Sequence, residues 1–155
     1  MTAATVAQAV DGLPQRLSGL SAFRWLPAAS TAGISAEQWS SRLGFDVRRE
    51  RCAVLHIEPR FRYKRWHATG WRSVMAWLHA RGLHVVVTGG SADGERERVR
   101  EVLDGCVPPI VDLVGALRFA ETADLLRAAA LDVGPDTATA HLAAACGTPS
   151  IVLFG

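Results

Sequence analysis

Lysine is nearly missing from this chain. Of 17 basic residues among 155, sixteen are arginine and one is lysine, Lys64. A lone ammonium in an arginine-rich chain hints that a compact point charge on a flexible stem is wanted there, where arginine offers a flat fork. The net charge of +2 is too small to argue for nucleic acid by itself. Cysteine is scarce too. Cys52, Cys106 and Cys146 are odd in number and far apart, with no metal-ligand spacing and no disulfide framework. Cys52 and Cys146 lie in apolar surroundings and read as small core residues. No apolar run reaches the length of a membrane span. The start, MTAATVAQAVDGL, has no basic region ahead of its apolar residues, so a secretory signal is not expected. There is no G-x-S-x-G and no His/Cys spacing of a nucleophile pair. The glycines of VTGGSADGERER (87–98) are not G-x-G-x-x-G and follow the second strand, which disfavours a dinucleotide cofactor.

What is present is alternation. CAVLHI (52–57), LHVVVT (83–88), IVDLV (110–114), LDV (131–133) and PSIVLF (149–154) are short apolar runs that read as buried strands. Between them, 69–82, 94–105, 119–130 and 137–147 carry helical patterns, with Thr69 as a cap for the first and glycines closing the first, second and fourth. Strands alternating with helices predict an α/β fold: a Rossmann-like parallel sheet with helices on both faces and right-handed crossovers. Ligands in such sheets bind at the carboxyl ends of the strands. Residues 1–51 differ. Trp25, Pro27 and Trp39 are scattered among small residues, and Ser35 and Gln38 form a capping box for one short helix. The segment reads as a linker or the remnant of another domain, with residues 52–155 as the Rossmann-like unit.

Two stretches can carry chemistry. HIEPRFRYKRW (56–66) puts Arg60, Arg62, Lys64 and Arg65 after the first strand. Such a loop recognises phosphate, binds single-stranded nucleic acid with Phe61, Tyr63 and Trp66 as stacking residues, or is simply a solvated basic loop. In GPDTATAHLAAACG (134–147), Asp136 falls at the expected N-cap of the fourth of these helices, and Thr137 and His141 share one face near its start. The free N–H groups and helix dipole make that end attractive to a phosphate or a sugar oxygen. The plainer alternative is an ordinary capped helix.

In this order, VLH (54–56), KRW (64–66), VVVTGG (85–90), DTATAHLAAA (136–145) and GTPSIVLFG (147–155) resemble the C-terminal half of glycosyltransferase family 9, the lipopolysaccharide heptosyltransferases. The resemblance implies the donor-binding domain of a GT-B enzyme, which holds a nucleotide-diphosphate sugar, ADP-heptose in that family, for inverting transfer without metal. No further cofactor is implied. By resemblance Lys64 contacts the diphosphate, Asp136, Thr137 and His141 hold the phosphates and sugar, and Glu95 is the nearest candidate for the ribose. No catalytic residue is assigned. The implied partners are the nucleotide-sugar substrate, a glycan or lipid A-core acceptor, and a separate N-terminal GT-B half that carries the general base; nucleic acid is not expected. The implied location is the cytoplasm, peripheral at the inner membrane. HIEPR departs from the family's His-Pro-Gly turn, and Ala138 stands where the family has glycine. The chain ends before the loop and closing helices the family uses next, so the expectation is an incomplete enzyme, inactive alone. A stand-alone nucleotide-binding module without transferase activity is the alternative.

Overall fold

The computed structural model describes residues 33–154, with Ala4, Thr5 and Gln8. Trp25, Pro27 and Gly155 lie outside the described residues, as does most of the expected linker. The elements are α1 (Ala36–Leu43), β1 (Cys52–His56), a 3-10 turn (Arg62–Lys64), α2 (Ala68–Ala80), β2 (His84–Gly89), α3 (Asp93–Leu103), β3 (Ile110–Val114), α4 (Phe119–Ala128), β4 (Leu131–Pro135), α5 (Ala138–Cys146) and β5 (Ser150–Leu153). The five strands form one parallel sheet in the order β3-β2-β1-β4-β5, as the apolar runs predict.

Alternation along the strands divides two apolar layers. Ala53, Leu55, Val85, Val87, Leu131 and Val133 face Trp71, Val74, Met75 and Leu78 of α2 and Val99 and Val102 of α3. Cys52, Val54 and Val86 face Ala123, Leu125 and Leu126 of α4 and Leu142, Ala143 and Cys146 of α5. Each fully buried large side chain contributes about 1.5–3 kcal/mol. Trp39, Leu43 and Phe45 are buried in this second layer although they precede residue 51. Ser35 and Gln38 form the capping box of α1. Cys52 and Cys146 are buried and form no disulfide among the described residues, and burial pushes the Cys52 thiol up to about 11.

Two helix starts differ from expectation. The cap of α2 is His67, whose Nδ1 accepts the Gly70 N–H at 2.9 Å; Thr69 lies inside the helix. The cap position of α5 is Thr137, one residue later than Asp136. Asp136 makes a different contact, described below. The end of α5 matches, with Gly147 in the left-handed region (φ 73°) that favours glycine.

Helix α1 is tied to α4 by charge. The Glu121 carboxylate accepts the Arg118 backbone N–H at 2.7 Å and Arg42 Nη1 at 2.9 Å. These contacts, the backbone N–H first, hold its carboxyl at about 2 against an ordinary 4.5. The stability they give is present above the ordinary value and is lost as pH falls from there toward 2. Urea titrations of the native chain and Glu121→Gln should therefore converge between pH 5 and pH 2. Parallel curves would remove this assignment.

Candidate functional site

The connections from β1 and β4 leave to opposite faces, since α2 packs in one apolar layer and α5 in the other. These strands are neighbours in the sheet, so a crevice opens beyond their carboxyl ends, where such sheets bind ligands. A cleft of about 630 Å³ lies there. On the β1 side it is lined by His56, Glu58, Arg60, Phe61, Lys64 and Arg65; across it stand Gly90 and Glu95, then Asp136, Thr137 and Thr139.

Lys64 bridges the crevice. Its Nζ donates to Asp136 Oδ2 at 2.7 Å and to the Asp136 backbone oxygen at 2.9 Å. The carboxylate holds the ammonium's proton more tightly, raising the Lys64 pKa, while the ammonium lowers that of Asp136. An ammonium has three donors, so one is left for a ligand beside the start of α5. There the N–H groups of the first helical turn have no intrahelical acceptor. The Thr137 hydroxyl is buried without a hydrogen-bond partner among the described residues. A cation, free N–H groups and an unused hydroxyl together fit an anion.

Glu95 stands opposite, its Oε1 accepting the Gly90 N–H at 2.5 Å. A side chain at Gly90 would come within 2.7 Å of that carboxylate. The glycine turn therefore gives Glu95 its place on the cleft wall. His56 lines both this cleft and a second cavity of about 250 Å³, bounded by Thr88, Gly89, Leu117 and Phe119. Burial lowers the His56 pKa and favours a neutral ring.

Thus the structure brings together Lys64, Glu95, Asp136 and Thr137. It leaves His141 outside the cleft lining, with a side chain 79% exposed and Nε2 3.6 Å from Asp136 Oδ1. Arg62 is also outside the lining, whereas Arg60 and Arg65 are in it. Of the three loop aromatics, Phe61 and Tyr63 stack on each other with centroids 5.6 Å apart. Trp66 instead packs against the core, edge-to-face with Trp71 at 5.2 Å. Sequence reasoning missed Glu58, which is only 8% exposed and lies between Arg65 and Arg98. The available signal was one acid in a run of cations. Among the described residues, no group of three or more His, Cys, Asp or Glu is placed to hold a metal ion. No described helix is long and apolar enough to cross a membrane.

Fold and cleft define a Rossmann-like α/β unit with a cleft at its topological switch point. Comparison with known proteins gives the family. The model of glycosyltransferase family 9 (heptosyltransferase) matches residues 20–155, and the chain belongs to that family. It is 41% identical over 102 residues to lipopolysaccharide heptosyltransferase 3 of Escherichia coli, which covers 64% of this chain and 30% of that protein. The crystal structure of a family 9 glycosyl transferase from Veillonella parvula superposes with a TM-score of 0.69 at 20% identity, over 76% of this chain and 33% of the other. The E. coli heptosyltransferase WaaC with ADP gives 0.56 at 25% identity, over 68% and 32%. The chain thus spans about a third of the length of these relatives.

Proposed function

We propose that this chain binds the nucleotide-sugar donor of a heptosyltransferase-type glycosyltransferase, with ADP-heptose as the substrate class. The observation that carries this is Lys64, held across the crevice at the start of α5 beside the unpartnered Thr137 hydroxyl. The diphosphate lies against Lys64 and the first turn of α5, the ribose meets Glu95, and the base enters the smaller cavity past His56. In transfer, an acceptor hydroxyl oxygen bonds to the anomeric carbon as the carbon–oxygen bond to the diphosphate breaks. Lys64 and the helix N–H groups stabilise the charge that collects on the departing diphosphate. The hydroxyl proton goes to a general base on an N-terminal GT-B half, which also holds a glycan or lipid A-core acceptor. The reaction takes place on the cytoplasmic side of the inner membrane.

Calorimetry with ADP, ADP-heptose and a single-stranded RNA oligomer tests the reading. Saturable binding of ADP and the sugar nucleotide is expected; a response to RNA alone would overturn it. Asp136 occupies two of the three Lys64 donors, one through its carboxylate and one through its backbone oxygen, and the carboxylate places a negative charge beside the diphosphate. Asp136→Asn should therefore tighten ADP binding by up to about fivefold, the scale of a partly exposed ion pair. Weaker ADP binding would show that the carboxylate orients Lys64 more than it competes with phosphate.

A further inference from the structure

We propose that Glu58 is a positioning residue of the donor site, clamping the loop that bears Lys64 to the helix that bears Glu95. The inference rests on the donor reading above and extends it to a residue that does not need to touch the ligand. Glu58 follows β1 by two residues and is buried on the cleft floor. Its Oε1 pairs with Arg65 Nη2 on one side and lies 3.1 Å from Arg98 Nε on the other. Arg65 is the direct neighbour of Lys64 and closes the 3-10 turn, its N–H donating to the Arg62 oxygen at 3.2 Å. Arg98 lies three residues after Glu95 on α3, on the same side of the helix.

One carboxylate therefore joins the Lys64 loop to α3, the helix whose first turns carry Glu95. The site needs this. Lys64 hangs on a loop, and loops hold groups less precisely than helices or strands. The Lys64 ammonium itself is tied to Asp136, which stands where the diphosphate must come. When a ligand draws the ammonium toward it, the Glu58–Arg65 pair keeps the backbone at residue 64 in register. A buried carboxylate between two guanidiniums is also costly to disturb, since removing it leaves two cations facing each other without a counter-charge. Burial raises the carboxyl's pKa against the pull of both arginines.

The test measures ADP and adenosine binding by calorimetry for the full chain, Glu58→Gln, Lys64→Ala and the double variant. Adenosine has no phosphates and does not report on Lys64. Glu58→Gln should weaken ADP by about tenfold, the order seen when an outer partner of a binding group is removed, and leave adenosine unchanged. In the Lys64→Ala background the same substitution should change ADP affinity by less than about twofold. Equal loss of ADP and adenosine, an unchanged ADP affinity, or a full effect in the Lys64→Ala background would each overturn the proposal. Thermal melting checks that each variant is folded. Should Glu58→Gln not fold, Arg98→Met is read by the same criteria, from the half-exposed end of the clamp. A native chain that binds no ADP sinks the donor reading and this inference with it. A native chain that binds ADP as Glu58→Gln does sinks the inference alone.

Discussion

Replacing Lys64 by alanine should weaken ADP binding by between about tenfold and a hundredfold, the range for losing a hydrogen bond to a charged group. Three effects add. The ammonium's free donor is lost. The charge that offsets the diphosphate goes with it. The Asp136 carboxylate, having lost the ammonium that stands 2.7 Å away in the native chain, turns a bridged crevice into a more acidic one. The loss should be largest for ADP, smaller for AMP and absent for adenosine, because only the phosphates meet the ammonium. It should also shrink as salt rises, since screening weakens the interaction that has been removed. Lys64→Arg should recover little. A planar guanidinium cannot place one donor on the Asp136 carboxylate, one on its backbone oxygen and a third toward the cleft as a rotating ammonium does. If Lys64→Ala binds ADP as the native chain does, the diphosphate lies elsewhere and the cleft is misassigned.

The single lysine turns out to be where the geometry of the site concentrates, yet its partner was misread. From the sequence, Asp136 stands one residue before a helix and looks like a cap; in three dimensions it faces Lys64, 72 positions away, and Thr137 occupies the cap position. Local pattern suffices where local forces decide. The apolar runs become strands because a parallel sheet buried on both faces needs them, and the Ser35–Gln38 box forms as expected because all its parts lie within four residues. It fails where a contact crosses the sheet. Glu58 belongs to a basic loop and gains its meaning only when α3 brings Arg98 beside it. Trp66 looks like a stacking residue until Gly70 leaves room for it: a side chain there would come within 2.6 Å of the indole. His141 has the right spacing from Thr137 and reaches within 3.6 Å of the Asp136 carboxylate, although its ring is not part of the cleft lining. LDV (131–133) reads as an apolar strand, yet it buries the charged residue Asp132 at its centre.

Substituting Asp132 by asparagine should make the chain more stable at neutral pH. The residue is fully buried in the second apolar layer, opposite Val54 of β1 and Ser150 of β5. Its one side-chain hydrogen bond comes from the Ser150 hydroxyl, at 3.3 Å to Oδ2; Oδ1 has no hydrogen-bond partner among the described residues. Burial without a cation pushes its carboxyl up to about 7 from an ordinary 3.8. The sign of the effect follows. Below about pH 4 the carboxyl is protonated whether the chain is folded or not, and it costs nothing extra. Between pH 4 and pH 7 the unfolded chain ionises while the folded one keeps its proton, so stability falls as pH rises. Each pH unit costs about 1.4 kcal/mol, which makes about 4 kcal/mol across the window; above it the loss is complete and constant. Asparagine keeps an oxygen acceptor for Ser150 and the same volume, but has no proton to lose. Urea midpoints measured from pH 4 to pH 8 should therefore coincide for the two proteins at the acid end and separate steadily in favour of Asp132→Asn toward pH 7. Curves that stay parallel across the range would mean that a donor outside the described residues neutralises the carboxylate.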